Sequence, residues 1–528
     1  MMILDRNVSA RGKYTLREKS EESRYSLAVI PDGEITLESV TIKIPFKFEE
    51  KDSLFLNGYQ SWTYSPERGI KDYDRSLKYC PEFMDSKYGF SRYGDNHFCP
   101  PVYKKGVQRG YTYAYIRRND SFFFIGSLNE NTGFTRITFN TGENAVIIEK
   151  DCSGRVTAQE YDAIDVAFLS GDEKAVFDGY FDLLGIKPLP VPKSTGYTSW
   201  YNCYQNISES RIISDLEGLK DLPFKPDVFQ IDDGFETFVG DWLDVDPAKF
   251  PDGTEKIAKM ITDSGYRAGI WLAPFVCEKN SRLFKEHPEY LLRDADGNPV
   301  YCGSNWSGAY ALDFYNEDVR DYISESIGKY AREGFRLFKL DFLYAACMLP
   351  RPDKTRGEIM NEAMSFLRKV CGDAYIIGCG VPLAPAFGRV EFCRIGPDVS
   401  LDFDDKAFMR LFHAERPSTK HTILNTVFRR QLSGRAFMND PDVFILRDEN
   451  TTLTEEQKLL LGKVNGLFGG LLFASDEFGK YDEKKKDLYQ YFAGLKNATD
   501  IRVEKNGSLL VVEYDLDGKS ERFEYDFK

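Results

Sequence analysis

The chain has 528 residues, a length that predicts two or three domains rather than a single core. Hydrophobic residues make up 42% of the sequence and aromatic residues 14%, which is typical of a large globular enzyme and argues against disorder. The net charge of −14 makes nucleic acid and an anionic membrane surface poor candidates for the main partner. The net charge does not argue against a neutral ligand.

Cellular location and cofactor use can be predicted from the same composition. The start of the chain carries no apolar run typical of an export signal, and the longest apolar stretch, around residues 466–474, is too short to span a bilayer. Ten cysteines are spread singly with no Cys-x-x-Cys pair, and none of the four histidines has a metal-ligand spacing. We therefore expect a cytoplasmic protein with reduced thiols, no cofactor and no metal, in which acid–base chemistry comes mainly from carboxylates.

The first 185 residues have the pattern of a β-rich domain. Segments such as 34–42 and 121–126 are alternating or continuously apolar, and turn signals separate them. A β-sandwich is the predicted fold. Within this region, residues 57–63 and the aromatic-rich segment 88–103 are more typical of an exposed surface than of strands.

After a proline-rich linker at residues 187–192, strand-like and helix-like segments alternate. This number of β-α units predicts a (β/α)8 barrel, with a doubly wound sheet as the alternative. From about residue 476, short alternating strands predict a small antiparallel β-domain. The predicted barrel strands are 197–201, 227–231, 268–272, 309–312, 334–343, 375–377, 390–394 and 436–438.

The fifth of these predicted strands has an unusual charged face. Lys339 and Asp341 are two residues apart, so they share one face of the strand, whereas the apolar side chains of Phe338, Leu340 and Phe342 share the other. Strands between helices are normally buried, and burying a lysine and an aspartate is costly. A functional role is therefore favoured over a structural ion pair.

Polar residues also follow most of the other predicted strands. In a barrel these strand ends meet at one mouth, where so many charged groups would be expensive to desolvate for structural reasons alone. The five tryptophans also lie in loops or at strand ends, and flat aromatic faces beside carboxylates suit a sugar. The strand-end residues are Asp232, Asp233, Trp271, Asp313, Lys339, Asp341, Cys379, Arg394 and Asp398.

Carboxylates, few histidines and tryptophans at the mouth favour glycoside hydrolysis by a pair of carboxyl groups. Asp341 suits the nucleophile because the neighbouring cation Lys339 is expected to hold it ionised. Asp398 suits the acid, because a loop after Gly396 and Pro397 can present a carboxyl group in a less charge-compensated setting.

At these residues the sequence resembles the retaining α-galactosidases of glycoside hydrolase family 36, in their compact bacterial form. The resemblance implies an amino-terminal β-supersandwich at residues 1–185, a catalytic (β/α)8 barrel at 186–475 and an antiparallel β-domain at 476–528. The matching blocks are residues 57–62, 199–201, 229–233, 240–242, 269–275, 310–313, 338–343, 378–380, 394–398 and 439–442.

The resemblance also implies roles for individual residues. Asp341 corresponds to the nucleophile and Asp398 to the acid/base. The implied sugar contacts are Asp232 and Asp233 at the galactose 4- and 6-hydroxyls, Cys379 at the 2-position, and Lys339, Arg394, Trp271 and Trp62 around the ring. The expected partner is an oligosaccharide with a terminal α-linked galactose, with no nucleic acid and no membrane, and the oligomeric state is left open.

Four alternatives remain open from the sequence. The same site could serve an α-N-acetylgalactosaminidase or a transglycosylase of the raffinose-synthase kind. A non-catalytic sugar-binding protein is disfavoured because both catalytic carboxylates are present. A metal-dependent enzyme would use the Asp-rich segments 402–405 and 439–442.

Overall fold

In the computed structural model, which describes residues 3–413 and 415–528, the amino-terminal region folds into two antiparallel sheets. Side chains from both sheets, among them Val29 and Ile42, form one apolar core between them. The predicted β-sandwich is therefore confirmed. In spatial order the first sheet contains Asp5–Arg11, Ile35–Pro45, Ala145–Thr157, Thr135–Asn140 and Val107–Tyr111, and the second contains Tyr14–Ser20, Arg24–Pro31, Tyr161–Gly171, Ser121–Ser127, Tyr113–Arg118, Ser53–Leu56 and Arg68–Gly69.

The central part of the chain forms a parallel barrel, which confirms the predicted fold. Its two sheet edges, Met438–Asp440 and Val443–Phe444, are one chain segment interrupted only by Pro441 and Asp442, so the sheet closes on itself. Within the described residues this gives eight strand positions. In chain order they are Ser194–Thr198, Val228–Ile231, Arg267–Leu272, Leu337–Leu340, Tyr375–Gly378, Phe392–Arg394, the interrupted segment, and Leu471–Ala474.

Two of the strand predictions were wrong. Ala309–Ala311 is not a barrel strand: it pairs antiparallel with Val276–Glu278 and Tyr301–Gly303 in a small separate sheet. The third barrel strand pairs directly with Leu337–Leu340, so the strand that carries Lys339 is the fourth and not the fifth. The eighth strand, Leu471–Ala474, was not predicted from the sequence. It is entirely apolar and buried, and such a run has no periodicity that distinguishes a strand from a helix.

Helices follow most of the barrel strands and cover the barrel. Two of them begin with a capping box, in which Thr355 or Thr454 exchanges hydrogen bonds with the residue three positions on. The longer helices are Glu173–Leu184, Glu209–Gly218, Gly253–Asp263, Glu317–Glu333, Arg356–Cys371, Thr419–Phe428, Glu455–Phe468 and Glu483–Gly494, and the shorter ones are Glu82–Tyr88, Gly94–Phe98, Trp200–Cys203, Arg282–Glu286, Leu383–Ala386 and Ala407–Phe412.

The chain ends in an antiparallel sheet of Thr499–Asn506, Leu509–Leu516 and Lys519–Asp526, as predicted. The exact division into domains at residues 185/186 and 475/476 stays a prediction. None of the described helices combines the length and the apolar composition that a bilayer crossing requires.

The sandwich and the barrel are joined by a buried arginine. Arg429, at the end of the helix Thr419–Phe428, is fully buried and donates hydrogen bonds to neutral oxygens on both sides of the junction. The acceptors from the sandwich belong to the segment 57–65, which contains Trp62. The acceptors are Asn57 Oδ1 at 3.0 Å, Gln60 O at 3.3 Å, Ser61 O at 2.7 Å, Ser65 Oγ at 2.9 Å and, from the barrel, Ile395 O at 2.9 Å.

We predict that Arg429→Met destabilises the protein by about 3 kcal/mol or more, because several buried acceptors lose their donor at once. Chemical denaturation followed by circular dichroism measures the change. Arg332→Met is the matched control, because Arg332 is exposed on the helix Glu317–Glu333, where substitutions typically change stability by less than about 0.5 kcal/mol. Equal stability of the two variants would contradict a bonding role for Arg429.

Candidate active site

A cavity of about 460 Å³ opens at the carboxyl ends of the barrel strands. This volume falls within the range of roughly 300–1,000 Å³ that is usual for small-molecule sites. Two of the predicted site residues, Cys379 and Arg394, do not line it but are buried against residues that do. The predicted residues that line the cavity are Trp62, Asp232, Asp233, Trp271, Lys339, Asp341 and Asp398.

Lys339 and Asp232 form the central ion pair of the cavity floor. Lys339 Nζ lies 2.8 Å from Asp232 Oδ2, and both side chains are buried. Gln230 Nε2 donates to the same oxygen at 2.7 Å, and the Asp232 N–H donates to Ser199 Oγ at 2.9 Å. Burial opposes the charged form of Lys339, but the negative charges of Asp232 and Asp341 outweigh it and raise the lysine's pKa.

Asp341 is held by neutral donors rather than by a direct ion pair. Trp271 Nε1 donates to its Oδ2 at 3.0 Å, and the Phe342 N–H donates to its Oδ1 at 2.8 Å. Burial raises the pKa of Asp341, while the charge of Lys339 and the Trp271 hydrogen bond oppose the shift. Lys339 thus favours the ionised form only through charge at a distance, because its direct contact is Asp232, and this charge does not outweigh the effect of burial on the pKa of Asp341.

The backbone turns sharply directly after Asp341. Phe342 has φ +53°, in the left-handed region that a non-glycine residue rarely occupies, and a short 3-10 helix follows at Leu343–Cys347. As a result Phe342 lines the cavity together with Lys339 and Asp341. The prediction that Phe342 shares the opposite face with Phe338 was wrong, because strand alternation stops at Leu340.

Asp398 lies in a more charge-compensated setting than the sequence indicated. Arg394 Nη1 donates to Asp398 Oδ1 at 2.7 Å. The same guanidinium contacts Asp442 through Nη2 at 2.8 Å and Asp440 through Nε at 3.2 Å, so its charge is shared among three carboxylates. The Asp398 side chain is 40% exposed, whereas Arg394 is 3% exposed. A carboxyl group that reaches solvent from a buried anchor can exchange protons with a bound ligand or with water.

Tryptophans form an aromatic wall on one side of the cavity. Trp306 Nε1 donates to Asp233 Oδ2 at 2.9 Å, and its ring packs against Trp271 and Phe342. Trp242 lies in a turn, as predicted, but does not line the cavity; it is buried behind Trp271, with ring centroids 5.7 Å apart. Apolar ring faces beside fixed carboxylates can bind the C–H face of a sugar while the carboxylates accept from its hydroxyls.

Trp62 brings the sandwich into the barrel mouth. Its Nε1 donates to Cys379 Sγ at 3.2 Å, and its ring packs edge-on against Phe342 at 5.0 Å. Gly380 allows this approach, since a Cβ atom there would lie 2.9 Å from the Trp62 ring and the residue has φ +57°. Residues of both the sandwich and the barrel therefore form the cavity wall.

The outer wall contains residues that the sequence analysis did not place in the site. Phe90 and Tyr93 come from the aromatic-rich loop of the sandwich, and His413 and Glu415 come from the segment after the sixth strand. His413 stacks on Phe90 at 4.2 Å, and burial and Arg416 lower its pKa to about 4, so it is uncharged at neutral pH. The sequence marked Phe90 and Tyr93 only as part of an aromatic-rich surface segment and gave no signal for His413 or Glu415, because only the folded loops bring these residues together.

Comparison with known proteins finds relatives among α-galactosidases. The melibiase family model matches residues 198–341, from the end of the first barrel strand to Asp341. An α-galactosidase of Lactobacillus acidophilus is 26% identical over 282 residues, which cover 52% of this chain and 33% of that enzyme. The chain thus spans about a third of the length of this curated relative.

Solved structures match over nearly the whole chain. An α-galactosidase of Thermus thermophilus, in complex with p-nitrophenyl α-D-galactopyranoside, has a TM-score of 0.74 at 25% identity and covers 96% of this chain and 98% of its own. A glycoside hydrolase family 36 α-galactosidase of Geobacillus stearothermophilus shares the fold, with a TM-score of 0.60 at 12% identity over 97% of this chain and 79% of its own. The chain is therefore similar to the melibiase family over residues 198–341 and shares its fold with α-galactosidases, among them one of glycoside hydrolase family 36.

Proposed function

We propose that this protein hydrolyses terminal α-linked galactose from oligosaccharides and retains the anomeric configuration. The observation that carries the proposal is that Asp341 and Asp398 line one cavity, together with the aromatic wall and the carboxylates of Asp232 and Asp233. The Thermus thermophilus neighbour, which spans the same fold, binds an aryl α-galactoside. The proposed substrate is accordingly an α-galactoside, and the proposed reaction needs no resident cofactor.

The proposed mechanism is a double displacement. Asp341 attacks the anomeric carbon while Asp398 protonates the departing oxygen, and the galactose is left bound to the Asp341 carboxylate. Asp398 then takes a proton from water, which attacks the same carbon and releases galactose. Asp341 lies at the buried floor and Asp398 at the more exposed side, which suits attack from inside and leaving-group departure toward solvent.

The remaining site residues receive binding roles in this proposal. Asp232, held by Lys339, and Asp233, held by Trp306, present acceptor oxygens for galactose hydroxyls. Cys379 and Arg394, which lie behind the cavity wall, support Trp62 and Asp398. Direct sugar contacts of Cys379 and Arg394 remain an expectation from the family resemblance.

We also propose a cytoplasmic location. All ten cysteines lie in the described residues and are free thiols, and most are buried. Secreted proteins tend to pair their cysteines in disulfides, so ten unpaired thiols favour a reducing compartment.

The proposed activity predicts faster hydrolysis of p-nitrophenyl α-galactoside than of p-nitrophenyl α-N-acetylgalactosaminide, with α-galactose as the first sugar product. Release of nitrophenol measures the two rates, and proton NMR of the first turnovers identifies the anomer. Dominance of the acetamido substrate would overturn the substrate assignment, and β-galactose as first product would overturn retention. Transfer products in excess of free galactose would instead favour the transglycosylase.

Trp271→Phe is predicted to move the acidic limb of the pH profile of kcat/KM to higher pH. The Trp271 hydrogen bond stabilises ionised Asp341, so its loss raises the pKa of a carboxyl group that burial already raises. Because nucleophilic attack needs the ionised carboxylate, activity is then lost at a higher pH as the solution is acidified. Steady-state kinetics across the acidic range measures the limb.

Trp242→Phe is the matched control for this shift. Trp242 packs against Trp271 in the same aromatic group, and its indole nitrogen has no hydrogen-bond partner among the described residues. The control is expected to keep the acidic limb in place. An unchanged limb in Trp271→Phe, or the same shift in both variants, would contradict the role given to the hydrogen bond.

A further inference from the structure

Asp442 lies at the interruption of the seventh barrel strand and does not line the cavity. Its backbone has φ +71°, a left-handed conformation at the point where the chain passes from pairing with the sixth strand to pairing with the eighth. The backbone N–H of Asp442 donates to Asp440 Oδ1 at 2.9 Å, which fixes the turn. Backbone strain at a buried carboxylate beside a candidate acid/base suggests a task connected with the site.

The Asp442 carboxylate accepts hydrogen bonds from three different parts of the barrel. Arg394 Nη2 donates to Oδ1 at 2.8 Å, the Val399 N–H donates to Oδ2 at 2.7 Å, and the Tyr201 hydroxyl also donates to Oδ2. Asp442 is 2% exposed. A buried carboxylate with this many donors is held in one orientation.

Two of these donors lead directly to Asp398. Arg394, which Asp442 orients, donates to the Asp398 side chain, and Val399 is the residue that follows Asp398 in the chain. Asp442 therefore holds both the side-chain partner of Asp398 and the adjacent backbone. By contrast, the Asp440 carboxylate accepts from Arg394 Nε at 3.2 Å and from the Asp442 N–H, but within the described residues it accepts nothing from the backbone next to Asp398.

Charge links the same groups. Arg394 faces the carboxylates of Asp398, Asp440 and Asp442, so the positive charge that each of them feels depends on the other two. Burial raises the pKa of Asp442, and the negative charges of Asp398 and Asp440 add to the shift, while Arg394 and the Tyr201 hydroxyl oppose it. Any change in the charge at Asp442 is therefore felt at Asp398.

We propose that Asp442 is a positioning residue for the acid/base Asp398, acting through Arg394 and the Val399 N–H. This inference rests on the proposed function, because it assumes that Asp398 transfers protons. Asp398 is partly exposed on a loop, and a general acid must be held within hydrogen-bond reach of the leaving oxygen. Asp442 anchors that loop from the buried side and sets how much of the Arg394 charge reaches Asp398.

The test compares two substrates with different needs for an acid. From an aryl α-galactoside, a dinitrophenol leaving group departs without protonation. Cleavage of raffinose, by contrast, requires protonation of the leaving oxygen. Asp442→Asn keeps the shape of the side chain but removes its charge. We expect kcat/KM for raffinose to fall about 10-fold or more while the value for the aryl substrate changes less than about 3-fold, because general acid catalysis contributes about 10²–10⁴-fold.

The variant should also change the pH profile measured with raffinose. Without the negative charge of Asp442, the Arg394 charge beside Asp398 is less compensated, and a less compensated cation stabilises a neighbouring carboxylate. We therefore expect the basic limb of kcat/KM to move to lower pH. If Asp442 had a purely structural role, the variant would lower kcat/KM equally for both substrates and leave the basic limb in place. That result would overturn the inference.

Asp215→Asn is the matched control. Asp215 is also fully buried and is also bonded to a tyrosine hydroxyl and an arginine, Tyr197 and Arg211, but it lies on a helix outside the barrel. We expect it to affect stability without a leaving-group dependence or a shifted basic limb. Tyr201→Phe is the second variant, for the case that Asp442→Asn does not fold. Loss of the Tyr201–Asp442 hydrogen bond favours protonated Asp442, so we expect a smaller leaving-group dependence and a smaller shift of the basic limb. The absence of both changes would contradict the inference.

Two further outcomes separate this inference from the proposed function. Asp398→Ala is expected to show a stronger leaving-group dependence than Asp442→Asn. If the wild-type chain cleaves neither substrate, the proposed function fails and the inference fails with it. If the wild-type chain cleaves both and Asp398→Ala shows the dependence but neither Asp442→Asn nor Tyr201→Phe does, only the positioning role fails.

Discussion

The cost of burying carboxylates at the barrel mouth is the constraint on which the rest of the site depends. Each buried carboxylate needs a donor, and the floor supplies two cations, Lys339 and Arg394. Lys339 is committed to Asp232, and Arg394 is shared by Asp398, Asp440 and Asp442. Within the described parts of the chain Asp341 forms no ion pair and relies on two N–H donors. This division of charge leaves Asp341 accessible to an electrophile rather than neutralised by a neighbour.

The division of charge matches the chemistry proposed for the two carboxyl groups. A nucleophile must be ionised but free to form a bond, and Asp341 has oriented hydrogen bonds without a cation in direct contact. An acid/base must gain and lose a proton, and Asp398 combines solvent exposure with a guanidinium whose charge other carboxylates moderate. The tryptophan wall and the contribution of the sandwich through Trp62 then restrict which face of a sugar meets these groups.

Much of this arrangement could be predicted because it depends on local patterns. The alternation of strand-like and helix-like segments identified the barrel, and the polar residues at strand ends, Lys339 and Asp341 among them, identified most of the cavity. The eighth strand was missed because a buried apolar run lacks a period, and the segment around Ala309 was misassigned because strand propensity does not reveal the pairing partner. The partners of Lys339 and Arg394, the role of Asp442 and the outer wall around His413 depend on contacts between distant segments, which no local pattern encodes.

The central claim is that Asp341 is the nucleophile and Asp398 its partner acid/base. It is tested most directly by adding azide to Asp341→Ala and Asp398→Ala with an activated aryl α-galactoside and identifying the anomer of the galactosyl azide by NMR. In Asp341→Ala, azide would occupy the space of the missing carboxylate and attack the face opposite the leaving group, which gives the β-azide. In Asp398→Ala, azide would attack the galactosyl enzyme and give the α-azide. Wild-type turnover by Asp341→Ala, or the same anomer from both variants, would contradict the account.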